Sequence, residues 1–111
     1  MHGPFNLTNE KVDEQVTQKS PGNYALGKIS NYSFRTLYVG RSDTDLNKRL
    51  KDWVGKYDLF MYRYAYSEKA AFEEECRSYH EFGGAKQLDN DYHPARRDGS
   101  DFTCPVCAIY D

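Results

Sequence analysis

Apolar side chains recur along this chain with two different periods, and the switches between them divide it. Residues 1–20 are mostly polar and end in Lys19-Ser20-Pro21-Gly22, a run that interrupts helix and strand alike. Within them, Thr8 to Gln18 predicts one short helix with Thr8 as its N-cap. Only Val12 and Val16 give it an apolar stripe, so 1–20 reads as a polar appendage or a loosely docked helix. From Gly22 the pattern tightens. Asn23 to Ile29 reads as a strand, Ser30-Asn31-Tyr32-Ser33 as a turn, and Phe34 to Val39 as a second strand, together a hairpin. Asp43 or Thr44 can then cap a helix whose apolar positions Leu46, Leu50, Trp53 and Val54 share one face, with Gly55 ending it.

Asp58 to Tyr66 is a third strand, dense in aromatic residues. Ser67 caps a second core helix, with Glu68 in the turn where a carboxylate suits the dipole. Its inward face would carry Ala71 or Phe72, Glu75 or Cys76, and Tyr79, and Gly83-Gly84 supplies a left-handed stop. Residues 85–111 have little periodicity. The predicted fold is a small α/β domain with a β-β-α-β-α core, a short central sheet flanked by helices. Its organisation is an appendage (1–20), a core domain (21–90) and an irregular C-terminal extension (91–111) packed on the same domain.

Composition refines this picture in three places. At 111 residues, 39% hydrophobic and 29% charged, the chain has room for one core and is not of disordered composition. Ten tyrosines in a chain this short place many rings at half-buried sheet or cleft positions, where the hydroxyl can find a partner. No apolar run approaches the length of a membrane span and the first fifteen residues lack the apolar segment of a signal peptide, so an intracellular protein without a membrane partner is expected. The net charge of −2 argues against indiscriminate coating of nucleic acid. Its distribution is uneven, with eight basic and four acidic residues in 21–66 against two basic and five acidic in 67–82. A basic surface beside an acidic helix could hold phosphate and a divalent cation together; two ordinary solvated faces would look the same.

Three segments, in order, resemble the GIY-YIG nuclease family. Gly22-Asn23-Tyr24-Ala25-Leu26 stands where the family has Gly-Ile-Tyr, with Asn23 in place of the Ile. Leu37-Tyr38-Val39-Gly40-Arg41 is similar to the family's Tyr-Ile-Gly, and Asp45-Leu46-Asn47-Lys48-Arg49-Leu50 to the opening of its first helix. Ala71-Phe72-Glu73-Glu74-Glu75 resembles its Ala-x-x-x-Glu, with Asn90 as the Asn that follows; Glu73 and Glu74 are the neighbours between which Glu75 is chosen.

The resemblance implies a metal-dependent endonuclease that hydrolyses phosphodiester bonds in DNA or, second, RNA. It implies Tyr24, Tyr38, Arg49 and Glu75 as catalytic residues. Glu75 would be the carboxylate for one Mg²⁺ or Mn²⁺, Arg49 the donor to the phosphate, and the two tyrosines would flank the attacking water. Arg41, Lys48 and Asn90 are expected as nucleic-acid contacts. Two other readings remain open, a catalytically silent nucleic-acid-binding module of the same fold and a zinc-stabilised protein-interaction domain. A protein partner that directs the chain to its substrate is a further expectation.

The cysteines carry a separate signal. Cys104-Pro105-Val106-Cys107 is a C-x-x-C, half of many zinc sites, and Cys76 and His80 lie four apart on one helix, so both point the same way. Cys76, His80, Cys104 and Cys107 would close a Cys₃His structural zinc site that pins the tail, with His93 as the substitute for His80. A redox pair or an unligated turn is the alternative. Small stand-alone GIY-YIG-like domains with a C-terminal Cys-x-x-Cys extension are similar in this respect.

Overall fold

The computed structural model describes residues 1–110. Its elements run β1 (His2–Asn6), α1 (Asn9–Gln15), β2 (Gly22–Ser30), β3 (Ser33–Ser42), α2 (Leu46–Lys51), β4 (Leu59–Tyr64) and α3 (Glu68–Glu81), followed by a 3₁₀ turn, Gly84–Lys86. The result is an α/β domain with a four-stranded, wholly antiparallel sheet in the order β1-β4-β2-β3 and three α-helices. No helix among the described residues is long and apolar enough to cross a membrane.

Strand alternation sends successive residues to opposite faces, and each face has its own cover. Tyr24, Leu26, Phe60 and Tyr62 bury against Leu7, Val12 and Val16 from the N-terminal segment and Leu46 and Leu50 of α2. On the other face Ala25 and Val39 meet Tyr79 of α3 and Leu88. Asn23 belongs to that second face: its amide donates to the Ala71 carbonyl of α3 at 2.7 Å, so the polar residue in a buried strand is partnered rather than stranded.

The first twenty residues differ from expectation. Far from an appendage, they supply the edge strand β1, paired with β4, and three buried core residues, Leu7, Val12 and Val16. Phe5 stacks on Phe60 with ring centroids 5.6 Å apart, and the Tyr62 hydroxyl donates to the Gln15 carbonyl at 3.0 Å. His2-Gly3-Pro4 has little strand propensity, and a Pro is admissible only because β1 lies at the sheet's edge. Helix α1 is short, but Thr8 does cap it, accepting from the Lys11 N–H at 3.1 Å.

Helix α2 begins later than either cap candidate, at an Asp45 cap, because the Ser42 hydroxyl takes the Thr44 and Asp45 N–H groups into a turn first. Ser67 caps α3 as its position predicts. The tail is tied down at two places. Phe72 and Cys76 of α3 bury against Cys104, with Phe102, Cys107 and Tyr110 packed around them. The free edge of β3 is covered by the segment after the 3₁₀ turn: the Asp89 N–H donates to Leu37 O at 2.6 Å, and the Asn90 amide both accepts from Val39 N–H (3.0 Å) and donates to Val39 O (2.8 Å). Asn90 thus does for Val39 what a fifth strand would do, and the edge is covered at Leu37 and Val39.

Candidate functional site

A cleft of about 600 Å³ opens where the β2–β3 pair meets α2, α3 and the segment 89–95. Tyr24, Tyr38, Arg41, Arg49, Glu75 and Asn90 all line it, although they come from five separate stretches of chain. Lys48 does not; it is exposed on α2. Sequence reasoning missed Asp43, Asp89, Asp91 and Tyr92, which also line the cleft. The Asp89-Asn90-Asp91 run was visible, but nothing in its spacing tells that Asn90 would carry its neighbours to the β3 edge.

Tyr24 and Tyr38 rise from the α2 side of the sheet. Tyr24 is paired across the ladder with Gly40 and is almost wholly buried, 1% exposed. A Cβ at Gly40 would stand 2.4 Å from the Tyr24 ring and hydroxyl, so the Gly of Leu37-Tyr38-Val39-Gly40 is the seat of that phenol. The hydroxyl accepts from Trp53 Nε1 at 2.9 Å. Burial pushes the phenol up to about 12, against the pull of Arg49 and the Trp53 hydrogen bond. Tyr38 stacks on Trp53 at 4.5 Å, and its phenol is raised too, first by burial and then by the Glu75 charge.

Arg41 and Glu75 enter from the α3 side. Arg41 Nη1 lies 2.5 Å from Glu75 Oε1, Nε lies 2.9 Å from Asp43 Oδ1, and Nη2 donates to the Ala95 carbonyl at 2.7 Å, with the guanidinium 5.2 Å over the Phe72 ring. Both partners of the first pair are nearly out of solvent, 13% and 10% exposed at the side chain. Burial raises the Glu75 carboxyl above its usual range, opposed by Arg41. Arg41, expected as an outer phosphate contact, lines the cleft and is also the internal counter-ion of Glu75 and Asp43, with one hydrogen bond from each of its three nitrogens. Asn90, expected as a nucleic-acid contact, lines the cleft with both ends of its amide on Val39.

Behind the cleft wall lies a second cluster. One ligand atom each from His80, His93, Cys104 and Cys107 falls within 4.8 Å of the others, so this His₂Cys₂ group could hold a metal ion such as zinc. Zn–S and Zn–N bonds of roughly 2.3 and 2.05 Å at a tetrahedral angle put S and N about 3.5 Å apart. Cys104 Sγ and His80 Nε2 are 3.6 Å apart, and Cys107 Sγ and His93 Nε2 3.4 Å. His93 Nδ1 meets the Pro94 carbonyl at 2.9 Å; as donor there, it leaves the Nε2 lone pair for the centre. Burial opposes the Cys104 thiolate, but the Cys107 and Val106 N–H groups, each 3.4 Å from its sulfur, with His93 and Cys107 more than offset this and lower the thiol to about 6.

Cys76, expected as the third sulfur, is not among the four. It is wholly buried with Phe72 and Cys104 of the apolar cluster, and burial pushes its thiol up. His93 joins His80 instead of replacing it, since Asn90 brings the segment that bears it against β3. No family model matches the chain, and no match was found to a curated protein or to a solved structure.

Proposed function

We propose that the cleft binds a nucleic-acid phosphodiester and hydrolyses it, as in the GIY-YIG nucleases that the sequence resembles. One observation carries this: Tyr24, Tyr38, Arg49 and Glu75, drawn from β2, β3, α2 and α3, line a single cleft. Arg49 keeps its guanidinium at the cleft and is partnered only loosely, with Asp52 at 3.4 Å, which suits it to donate to phosphoryl oxygens. The Tyr24 phenol, held neutral by burial and already accepting from Trp53, has its own proton to offer. It orients water or a phosphate oxygen and does not serve as the base. Tyr38, half-buried on the same side, is the second hydroxyl.

The divalent ion implied by the resemblance has one residue to hold it, Glu75. Among the described residues no buried side-chain oxygen or nitrogen lacks a partner, so the Glu75 oxygen that Arg41 leaves free borders the open cleft. A single carboxylate can suffice for Mg²⁺ or Mn²⁺, which keep several waters. When bound, such an ion would polarise the phosphate. Structural zinc at the His₂Cys₂ cluster belongs to the same reading, as do DNA ahead of RNA as substrate and an intracellular setting.

A second reading is favoured by the Arg41–Glu75 pair, which neutralises the carboxylate that would hold the ion. In it the chain is a catalytically silent nucleic-acid-binding module. Cleavage of labelled single-stranded, duplex and branched DNAs, then RNAs, with Mg²⁺ or Mn²⁺ separates the two. Metal-dependent cutting by the wild type and none by a folded Glu75→Gln protein supports the nuclease. Salt-sensitive binding without cutting by either selects the silent module.

A further inference from the structure

We propose that the ion held by His80, His93, Cys104 and Cys107 builds the wall of the cleft, so that the cleft is complete only when that cluster is occupied. The inference rests on zinc occupancy of the cluster, but not on cleavage or on any substrate.

His93 is the joint between the two sites: it contributes a ligand atom to the cluster and lines the cleft. From it a short chain of contacts reaches the buried ion pair. His93 Nδ1 meets Pro94 O at 2.9 Å, the next carbonyl, Ala95 O, accepts from Arg41 Nη2 at 2.7 Å, and Arg41 Nη1 holds Glu75 at 2.5 Å. The second histidine, His80, stands on α3 a little over one turn beyond Glu75. One ion would therefore fasten α3 to the facing wall, with Glu75 and Arg41 between them.

The wall needs this fastening. Residues 89–95 contain no helix or strand, and 96–110 none either. The Asp89 and Asn90 bonds to β3 hold its near end. Its far end depends on Arg41, on the Tyr110 hydroxyl, which donates to Pro94 O at 3.2 Å, and on the cluster. Tyr110 itself lies just past Cys107; it also packs on Phe72 of α3, with ring centroids 6.0 Å apart, so release of the cysteines takes away part of its anchor. With the ion gone, only the weak contacts of Cys104 Sγ with His80 Nε2 (3.6 Å) and of Cys107 Sγ with His93 Nε2 (3.4 Å) link the histidines to the cysteines.

The molecule carries its own reporter. Trp53 is the only tryptophan. It bonds the Tyr24 hydroxyl, stacks on Tyr38, and packs 5.9 Å from Tyr57, whose hydroxyl donates to Asp89 of the wall at 2.8 Å.

The test starts from metal analysis of the purified full chain, followed by chelation and return of Zn²⁺. We expect about one zinc per chain in wild type and in Cys76→Ala, and loss of zinc in Cys107→Ser. Stripping the zinc should raise hydrogen exchange at the Asp89, Arg96 and Cys107 amides by roughly tenfold or more while β2 and β4 stay protected. Trp53 emission should change with it, and Zn²⁺ but not Mg²⁺ should restore both. Zinc lost with no change at Asp89 or Trp53 overturns the coupling. Protection lost across the whole sheet overturns it too, because the ion would then hold the fold and not the wall. A chain that binds no zinc removes its basis and leaves the cleft proposal standing.

Discussion

Gly40→Ala is the smallest change that tests how the cleft is built. Gly40 lies in β3 with ordinary extended backbone, so the added methyl meets no dihedral penalty of its own. It meets Tyr24: the new Cβ would lie 2.4 Å from both the ring's Cζ and the hydroxyl. Ordinary carbon contacts need about 3.5 Å, so the phenol must retreat by about an ångström. Leu26, Leu46 and Leu50 are wholly buried in the same cluster and leave it nowhere to go without repacking. Overpacking of this kind costs about 1–3 kcal/mol. The Trp53 hydrogen bond, 2.9 Å at present, would break as well and add about 1 kcal/mol. The total, about 2–4 kcal/mol, corresponds to a Tm lower by roughly 8–25 °C. Calorimetry and Trp53 emission would read it directly. Tyr24→Leu should largely relieve the penalty in the double variant, because the shorter side chain clears the methyl. A Gly40→Ala protein within about 0.5 kcal/mol of wild type, with unchanged Trp53 emission, would refute this account of the Tyr24 seat.

Other outcomes follow from the same contacts. Tyr24 titrates near 10 when unfolded and about 12 in the fold, so its contribution is whole below pH 10 and is lost as pH rises toward 12; Tyr24→Phe should abolish about 2–3 kcal/mol of alkaline destabilisation in urea melts at pH 9 and 12. Arg41→Met strands the buried Glu75 charge and should cost about 3–5 kcal/mol at pH 7. Because Glu75's folded pKa is already raised, that deficit should narrow as pH falls to 4.5 and the carboxyl takes up a proton, as melts across the range would show. Asn90→Ala leaves the Val39 N–H and C=O without their buried partner and should cost about 2–4 kcal/mol in chemical denaturation, with faster exchange at the Val39 amide.

The core was legible where periodicity and caps agreed. Helix α3 and its Ser67 cap followed from spacing and the cap residue; the inward face was left as Ala71 or Phe72, Glu75 or Cys76, and Tyr79, and the fold buries all five. The β2–β3 hairpin followed from its turn, where Asn31 and Tyr32 take positive φ angles of 52° and 67°. What failed did so because long-range contacts outweighed local propensity. The strand at His2–Asn6 exists because β4 offers it an edge, and no local pattern in His-Gly-Pro-Phe-Asn announces that. Arg41 was read as an outer phosphate contact from its type and Asn90 as a nucleic-acid contact from the resemblance, and neither reading could show that both also bond to the protein itself. The cysteine motif pointed to a cluster that could hold a metal, but which histidines complete it depended on where Asn90 docks, a contact fifty-one residues apart in sequence.

The charge balance of the cleft gives these internal pairings a consequence for binding. Four carboxylates line it, Asp43, Glu75, Asp89 and Asp91, against the two guanidiniums of Arg41 and Arg49. Arg41 is spent on Glu75 and Asp43, which leaves Arg49 as the cation facing a ligand. A polyanion entering as the cleft stands would bring negative charge to a site already negative, in a place where partial burial weakens solvent screening. Something must compensate, and the cleft has two routes: a divalent cation at the Glu75 oxygen that Arg41 does not hold, or a proton on Glu75, whose carboxyl burial already inclines to accept one. The routes leave opposite signatures. If a cation compensates, oligonucleotide affinity rises with Mg²⁺ and the Glu75→Gln protein loses that dependence. If a proton compensates, affinity rises as pH falls toward the carboxyl range, and Glu75→Gln binds at neutral pH as the wild type binds in acid. An Arg49→Ala protein that binds as tightly as wild type under either condition would show that the polyanion does not enter this cleft at all.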